Sequence, residues 1–438
     1  IFKRKLYNKL LAWKHQAAGT KALLIEGARR IGKSTLVEEF AKNEYRSYLL
    51  IDFNKVSDSV VSAFNNYMND LDTFFLILSS EYGVKLYSKE SVIIFDEIQQ
   101  FPKARQAIKY LVADGRFDYI ETGSLISIKE NVKDITIPSE ERALTMYPMD
   151  FEEFAWAMDE EPLMTYIRQC FDKRVPLEQG LHAKAMLLFR QYMIVGGMPK
   201  SLSAYMENNR SFEMADMEKR DILTLYRNDI MKINSGYRSS VLSIFDQIPA
   251  FLSRSERRVV MNRIEKGASF PKYHDTFFWL SDSMIANECF NCSDPNVGLS
   301  LNEDRTYVKC YMGDTGLLIS HTFDENEISD GELYREILLG KLSVNEGMFY
   351  ENVIAQMLVA AGHKLYFYTR YNEEKHRNDV EIDFILSNQS KLKYKIFPIE
   401  VKSNDKYTIR ALTRFNESFH QRIGAVSYTH LTLPTIYS

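Results

Sequence analysis

Cysteine is scarce in this chain: Cys170, Cys289, Cys292 and Cys310 are the only four in 438 residues. A disulfide-stapled scaffold is thereby excluded, and the composition fits a reducing compartment, the cytoplasm. Material for a zinc centre is also short, because Cys289 and Cys292 form one C-x-x-C pair with only Cys310 nearby, and tetrahedral zinc takes four ligands. Long apolar runs are absent. Stretches such as FFLIL at 74–78 are sized for a strand or core element and fall far short of the ~20 residues that span a bilayer, so no membrane segment is expected. Excess charge is missing too. A formal net charge of -4 gives no bulk attraction to polyanions, and any nucleic-acid contact must come from a local basic patch. No initiator methionine precedes Ile1, and no charged-then-apolar leader follows it, so the natural start is expected to lie elsewhere.

What is present describes an ordinary globular chain, 45% hydrophobic and 26% charged, long enough to need more than one core. KALLIE at 21–26 is a short apolar run of the kind that forms a central parallel strand, and Gly27 ends it. GARRIGKST follows at 27–35. Gly27 and Gly32 let the backbone curl so that the N–H groups of Gly27, Ala28, Arg29, Arg30, Ile31, Gly32, Lys33, Ser34 and Thr35 surround phosphate oxygens. Lys33 then meets the β and γ phosphates, Ser34 can ligate Mg2+, and the helix opening near Ser34 turns its positive end toward the anion.

A second strand, in SVIIFDEIQQF, sets Asp96 and Glu97 at its carboxyl end, the edge where ligands bind in parallel sheets. Asp96 is the candidate to hold magnesium and Glu97 to polarise the attacking water. A third strand, FDYIETGS, ends in Thr122, Gly123 and Ser124, hydroxyls placed to sense the γ-phosphate or orient water. Each motif alone has a plain structural explanation, since G-x-x-x-x-G-K-S arises by chance and Asp-Glu after an apolar run is common at helix caps. Together, on strands, they point to nucleotide hydrolysis. ATP is expected as the nucleotide because no base-reading motif of the GTPase kind is visible.

GARRIGKST, IIFDEIQQFP, ETGS and MYPMDFEEF at 146–154 together resemble the bacterial and archaeal AAA-type ATPases of uncharacterised function, a likeness that covers nearly the whole chain. It implies a P-loop NTPase fold of α/β class. A Gly-Arg pair precedes the Tyr-Pro element in that family, whereas Glu141 and Arg142 stand here. Arg142 is therefore a candidate for stabilising transition-state charge, in its own subunit or on a neighbour's nucleotide in a homo-oligomer, with a solvated surface arginine as the alternative.

Residues 151–227 read as several short helices broken by Pro162, Pro176 and GGMP at 196–199. Residues 239–318 resemble a winged helix with a strand hairpin. Arg254, Arg257, Arg258, Arg263 and Lys266 could form a basic face there for DNA or other nucleic acid; a merely solubilising surface is the competing reading.

The C-terminal region adds a second constellation. Glu351 lies in a helix expected over 346–361, Asp383 in VEIDFIL, and Glu400 and Lys402 in FPIEVKS. On a strand, Glu400 and Lys402 share a face, as do Glu381 and Asp383. If the strands pair, Asp383 and Glu400 can bind a second divalent metal, Lys402 can position water or steady charge, and Glu351 can orient the site or add a ligand. The pattern resembles the restriction-endonuclease-like core, many relatives of which keep the fold without cleavage.

The expected organisation is an AAA-type ATPase domain over 1–155, a helical region over 156–235, a winged-helix-like domain over 236–320, and a nuclease-like α/β domain over 321–425. The last thirteen residues, VSYTHLTLPTIYS at 426–438, carry no Lys, Arg, Asp or Glu. They resemble a reading frame that has run into a transposon-type sequencing adapter, so the nuclease-like domain is expected to lack a closing strand; a genuine β-rich terminal strand is the alternative.

Overall fold

Short apolar runs bounded by glycine, serine and aspartate become the strands of the N-terminal half. The computed structural model describes residues 1–124, 139–233, 236–254, 257–259, 264, 270–296, 298–324, 331–340, 346–374, 376–388, 395–402, 408–424, 426–429 and 435–437. They divide into two compact units, Ile1–Tyr147 and Pro148–Ser438.

The first unit runs α1 (Leu6–Gln16), β1 (Ala22–Gly27), α2 (Lys33–Glu44), β2 (Ser47–Asp52), α3 (Asp58–Asn66), α4 (Leu71–Tyr82), β3 (Ser91–Asp96), α5 (Pro102–Asp114), β4 (Asp118–Ser124) and β5 (Glu141–Met146). Its five strands lie in the order β2-β3-β4-β1-β5, every pairing parallel. Parallel strands covered on both faces carry apolar residues at nearly every position, and β3 is buried throughout. Leu24, Ile51, Ile93, Phe95 and Tyr119 face α3, α4 and α5, where Phe64, Phe74, Ile108 and Leu111 complete the core. Because β1 lies between β4 and β5 while its chain continues to distant β2, the carboxyl edge beside Gly27 is a switch point in strand order, where such sheets leave a crevice. The FFLIL run belongs to α4, a helix capped by Asp70 at its start and by left-handed Gly83 at its end.

The second unit begins with helices α6 (Phe151–Ala157), α7 (Glu161–Lys173), α8 (Gln179–Val195), α9 (Pro199–Glu207), α10 (Phe212–Met231), α11 (Arg238–Leu252) and α12 (Phe270–Asp282). It continues through β6 (Ala286–Cys292), β7 (Glu303–Met312), α13 (Thr315–Thr322), α14 (Glu332–Leu339), α15 (Glu346–Ala360), β8 (Leu365–Asn372), β9 (Arg377–Ile382), β10 (Phe384–Asn388), β11 (Lys395–Val401), α16 (Arg410–Phe419), β12 (Val426–Thr429) and β13 (Thr435–Tyr437). One sheet has the order β7-β6-β8-β9 and another the order β10-β11-β12-β13. The hairpin expected as a wing therefore forms, but it does not stand alone: β6 pairs in parallel with β8, which merges it with the C-terminal region in one sheet. The segment set apart as adapter-like contributes β12, parallel to β11, and β13.

Polar side chains stitch the middle of this unit. Asn352 on α15 accepts from Met312 N at 2.8 Å and donates to Thr315 Oγ1 at 2.9 Å, while Gln356 accepts from Thr315 N at 2.8 Å and donates to Tyr192 Oη at 3.0 Å. Buried amides satisfied in this way fix the register of helix against sheet. Among the described residues no helix is long and apolar enough to cross a membrane.

Candidate functional site

β1 delivers the chain to Gly27, where a Cβ would meet Met146 O at 2.4 Å and Ile31 Cδ1 at 2.7 Å; only glycine fits against β5 there. The loop then turns through Arg30 and Gly32, at φ 67° and 89°, and α2 opens at Lys33. Ala28 and Ile31 are buried under the loop, whereas Arg30 and Thr35 are exposed and Arg29 and Ser34 half-buried. Lys33 Nζ donates to Gly27 O at 3.1 Å and Ala28 O at 2.7 Å, curling over the loop that it serves. Burial pushes the Lys33 ammonium down to about 8; the carboxylates of Glu97 and Asp96 raise it and Arg29 lowers it further.

The end of β3 meets this loop directly. Ser34 Oγ donates to Asp96 Oδ1 at 2.7 Å, and Thr122 Oγ1, at the end of β4, donates to the same oxygen. Two strands and a helix thus bring Ser34, Asp96 and Thr122 together as hard oxygen donors, the ligand chemistry that suits Mg2+. Glu97 leaves the strand in a left-handed conformation, φ 56° and ψ 47°, uncommon for a residue with a side chain and characteristic of functional turns. Its N–H donates to Thr122 Oγ1 at 3.4 Å, and its carboxylate accepts from Gln99 Nε2. Below, Phe53 packs on Phe64, Phe95 and Phe101, and its N–H donates to Asp96 O at 3.1 Å, which anchors the strand end.

Sequence reading missed Arg4. Buried at 7% exposure, it donates from Nη1 to Ile31 O at 3.0 Å and from Nη2 to Tyr147 O at 2.6 Å, clamping the phosphate loop from the amino terminus. A lone arginine 27 residues ahead of its partner Ile31 offers no local signal.

Arg142 is not brought to the loop. It lies opposite Leu23 near the start of β5, whereas Gly27 lies opposite Met146 at the strand's end. Four residues at about 3.3 Å rise put it roughly 13 Å along the sheet from the phosphate edge. The buried neighbour, Glu141, is the residue held there, by a two-pronged ion pair with Arg105 at 3.0 and 2.8 Å.

In the second unit Glu351, Asp383, Glu400 and Lys402 converge as their spacing suggested. β10 and β11 pair antiparallel, with Phe384 opposite Ile399, and Asp383 Oδ2 accepts from Val401 N at 2.7 Å. The residue at their centre is Lys309, from β7, with no exposed side-chain surface. Its Nζ lies 3.1 Å from Glu351 Oε1, 3.3 Å from Glu381 Oε1 and 3.8 Å from Asp383 Oδ1. Lys402 pairs with Glu400, Tyr311 Oη donates to Glu351, and Arg257 contacts the other oxygen of Glu351. Burial raises the Glu381 and Glu400 carboxyls above their ordinary range, against the lowering effect of Lys309 and Lys402 respectively. Among the described residues no group of three or more His, Cys, Asp or Glu side chains is arranged to hold a metal ion. The second divalent metal expected at Asp383, Glu400 and Glu351 is therefore not supported: an ammonium fills the place between the acids.

The basic face drawn for nucleic acid is dispersed over the described residues. α11 ends at Leu252; Val259 N donates to Val308 O at 2.9 Å, so this stretch runs along β7 rather than continuing as a helix. Arg257 turns inward to Glu351, attracted by a buried carboxylate, while Arg258 lies over the Tyr307 ring at 5.0 Å and Arg254 over Phe251 at 5.7 Å. Arg263 and Lys266 lie outside the described residues.

Comparison with known families agrees with the first unit. Residues 19–155 match the family described as AAA domain. Residues 186–327 match a domain of unknown function, DUF8612, and residues 346–435 match another, DUF4143. No curated protein matches the chain. Among solved structures, the S. cerevisiae Hsp104-ADP complex is similar at 11% identity and TM-score 0.30, covering 83% of this chain and 44% of that one, so this chain spans less than half of that neighbour. Cdc6p from Pyrobaculum aerophilum is similar at 10% identity and TM-score 0.28, covering 77% and 93%. AMPPCP-bound DnaA from Aquifex aeolicus follows at 11% and 0.25, covering 64% and 90%. Likenesses this slight carry no argument. The matched AAA domain, together with a five-stranded parallel sheet that ends in the phosphate loop, supports a nucleotide-binding ATPase of AAA type.

Proposed function

We propose that the chain is a cytoplasmic Mg2+-dependent ATPase whose nucleotide cycle drives the second unit as a switch. The observation that carries the reading is the shared Asp96 oxygen, which accepts from Ser34 of the phosphate loop at 2.7 Å and from Thr122 of the neighbouring strand. The loop's N–H groups and the positive end of α2 receive the phosphates, and Lys33 exchanges its carbonyl partners for β and γ oxygens. Ser34 and Asp96 would hold magnesium, which when bound neutralises charge on those phosphates. Glu97 polarises the attacking water, and Thr122 reports the phosphate's presence to the end of β4. Lys33→Ala is expected to abolish tight nucleotide binding, and Glu97→Gln to bind ATP but stop turnover. Unchanged turnover in both variants would sink the ATPase reading.

For the second unit, coupling to nuclease action on DNA or RNA competes with service as an inert nuclease-like scaffold. The position of Lys309 between Glu351, Glu381 and Asp383 favours the scaffold. Incubation of the full chain with Mg2+ or Mn2+ and either nucleic acid is expected to yield no cleavage. Cleavage that Asp383→Asn removes would restore the nuclease reading.

A further inference from the structure

We infer that Lys309 is the resident cation of the C-terminal carboxylate cluster, standing where a divalent metal would sit and excluding one. The inference rests on the scaffold reading and adds the chemistry that makes the scaffold inert.

Four acids from four places in the chain meet here: Glu351 from α15, Glu381 from β9, Asp383 from the break between β9 and β10, and Glu400 from β11. Such a group is stable out of water only if cations neutralise it. The chain supplies three of its own, Lys309, Lys402 and Arg257, each within ion-pair reach of a member. Four negative charges less three positive leave one, so the chain's own cations already offset most of the charge that a divalent ion would balance.

Lys309 has the reach and chemistry for the central place. An ammonium carries three donors, and three carboxylates lie within 3.8 Å of it. A magnesium ion would need oxygens at about 2.0–2.1 Å in octahedral array around a point that Nζ already holds. The lysine is also not free to swing aside. It stands on β7, opposite Cys289 on β6, its side chain has no exposed surface, and its Nζ lies 5.1 Å from the centre of the Phe367 ring. Moving the ammonium out would leave Glu351 and Asp383, both buried, and the partly exposed Glu381 without it, a cost that its hydration must offset.

The test is titration of the nucleotide-free full chain with Mn2+, followed by electron paramagnetic resonance of the free ion. Wild type is expected to show no saturable site tighter than about 1 mM. Lys309→Met, which keeps the length and removes the charge, is expected to gain Mn2+ affinity by at least about 10-fold, and Lys309→Met with Asp383→Asn to lose that gain. A saturable site in wild type that Asp383→Asn removes overturns the inference, as does a Lys309→Met chain with wild-type circular dichroism that binds no Mn2+. The wild-type arm needs no variant to fold. Metal binding without cleavage would sink this inference and leave the scaffold reading standing, whereas cleavage without a C-terminal metal site would do the reverse.

Discussion

Ser34 Oγ and Asp96 Oδ1 lie 2.7 Å apart, joining the first turn of α2 to the last residue of β3. The two positions are 62 residues apart in sequence and share one proton before any nucleotide arrives. The hydrogen bond holds both oxygens on the same side of the phosphate loop, where Ser34 and Asp96 would hold Mg2+ without first being gathered. Ser34→Ala is expected to lower Mg2+-supported ATP hydrolysis about 10- to 100-fold, the usual range when a ligand or its support is removed. Mg2+-free nucleotide binding should change little. Steady-state phosphate release, measured across a magnesium series beside fluorescent-nucleotide binding, checks both.

Nucleotide affinity should depend on pH through Lys33. Burial holds its ammonium at about 8 in the nucleotide-free chain, and bound phosphates would raise that value. Below pH 8 the lysine is charged with or without nucleotide, and affinity is flat. Above it, binding must take up a proton, so affinity falls by up to tenfold per pH unit. The fold responds in the opposite sense. A lysine whose folded value is depressed binds its proton more weakly in the native state, so its contribution to stability rises between pH 8 and its ordinary value of 10.5. Calorimetric titration with ADP from pH 7 to 9.5 reads the first trend, and a pH-independent affinity would show that Lys33 does not meet the phosphates.

A buried acid pair behind the sheet makes a separate prediction. Glu121 on β4 is fully buried, and burial, then the charge of Glu141, raises its carboxyl well above the ordinary range, against the pull of Arg105. A carboxyl whose folded value is raised contributes stability that is complete below its ordinary value near 4.5 and is lost as pH climbs toward the folded one. Glutamine reproduces the neutral shape without that liability. Glu121→Gln should therefore match wild type at pH 5 and exceed it in melting temperature at pH 8; equal loss of stability with pH in both chains would contradict it.

The phosphate loop was legible because its chemistry is contiguous: nine residues carry the glycines, lysine and serine in one reading window. Asp96 and Glu97 were legible because a wholly apolar run announces a buried strand and its end. The position of Arg142 within its own chain was not legible, because sequence does not reveal that the register of β5 with β1 begins at Ala22 opposite Glu141. The FFLIL run shows how a short apolar stretch leaves helix and strand undecided, although Asp70 and Gly83, the caps on either side, were there to be read. Lys309 was invisible for a different reason. VKCYMG reads as an ordinary hairpin strand, and the acids that define the lysine's role stand 42, 72 and 74 residues farther along, at Glu351, Glu381 and Asp383. Nonlocal charge compensation leaves no periodic trace.

The final prediction concerns the GGMP turn, whose function in the fold is steric. Gly196, at φ 80°, follows α8, and Gly316 lies on α13; a Cβ on Gly316 would meet Gly196 Cα and Gly196 N, each at 2.6 Å. Both contacts are backbone, so no side chain can rotate away, and the helix must shift from its partner. The same place holds Asp314, whose Oδ2 accepts from Gly197 N at 2.6 Å and whose Oδ1 accepts from Leu317 N at 3.0 Å, so a shift breaks hydrogen bonds as well as packing. Gly316→Ala should cost about 1–3 kcal/mol, the usual penalty for overpacking a filled interior, with loss of the buried Asp314 contacts pushing toward the upper end. Urea unfolding followed by tryptophan fluorescence measures it. Nucleotide affinity at the phosphate loop, in the other unit, is the internal control: it should stay unchanged while the midpoint falls.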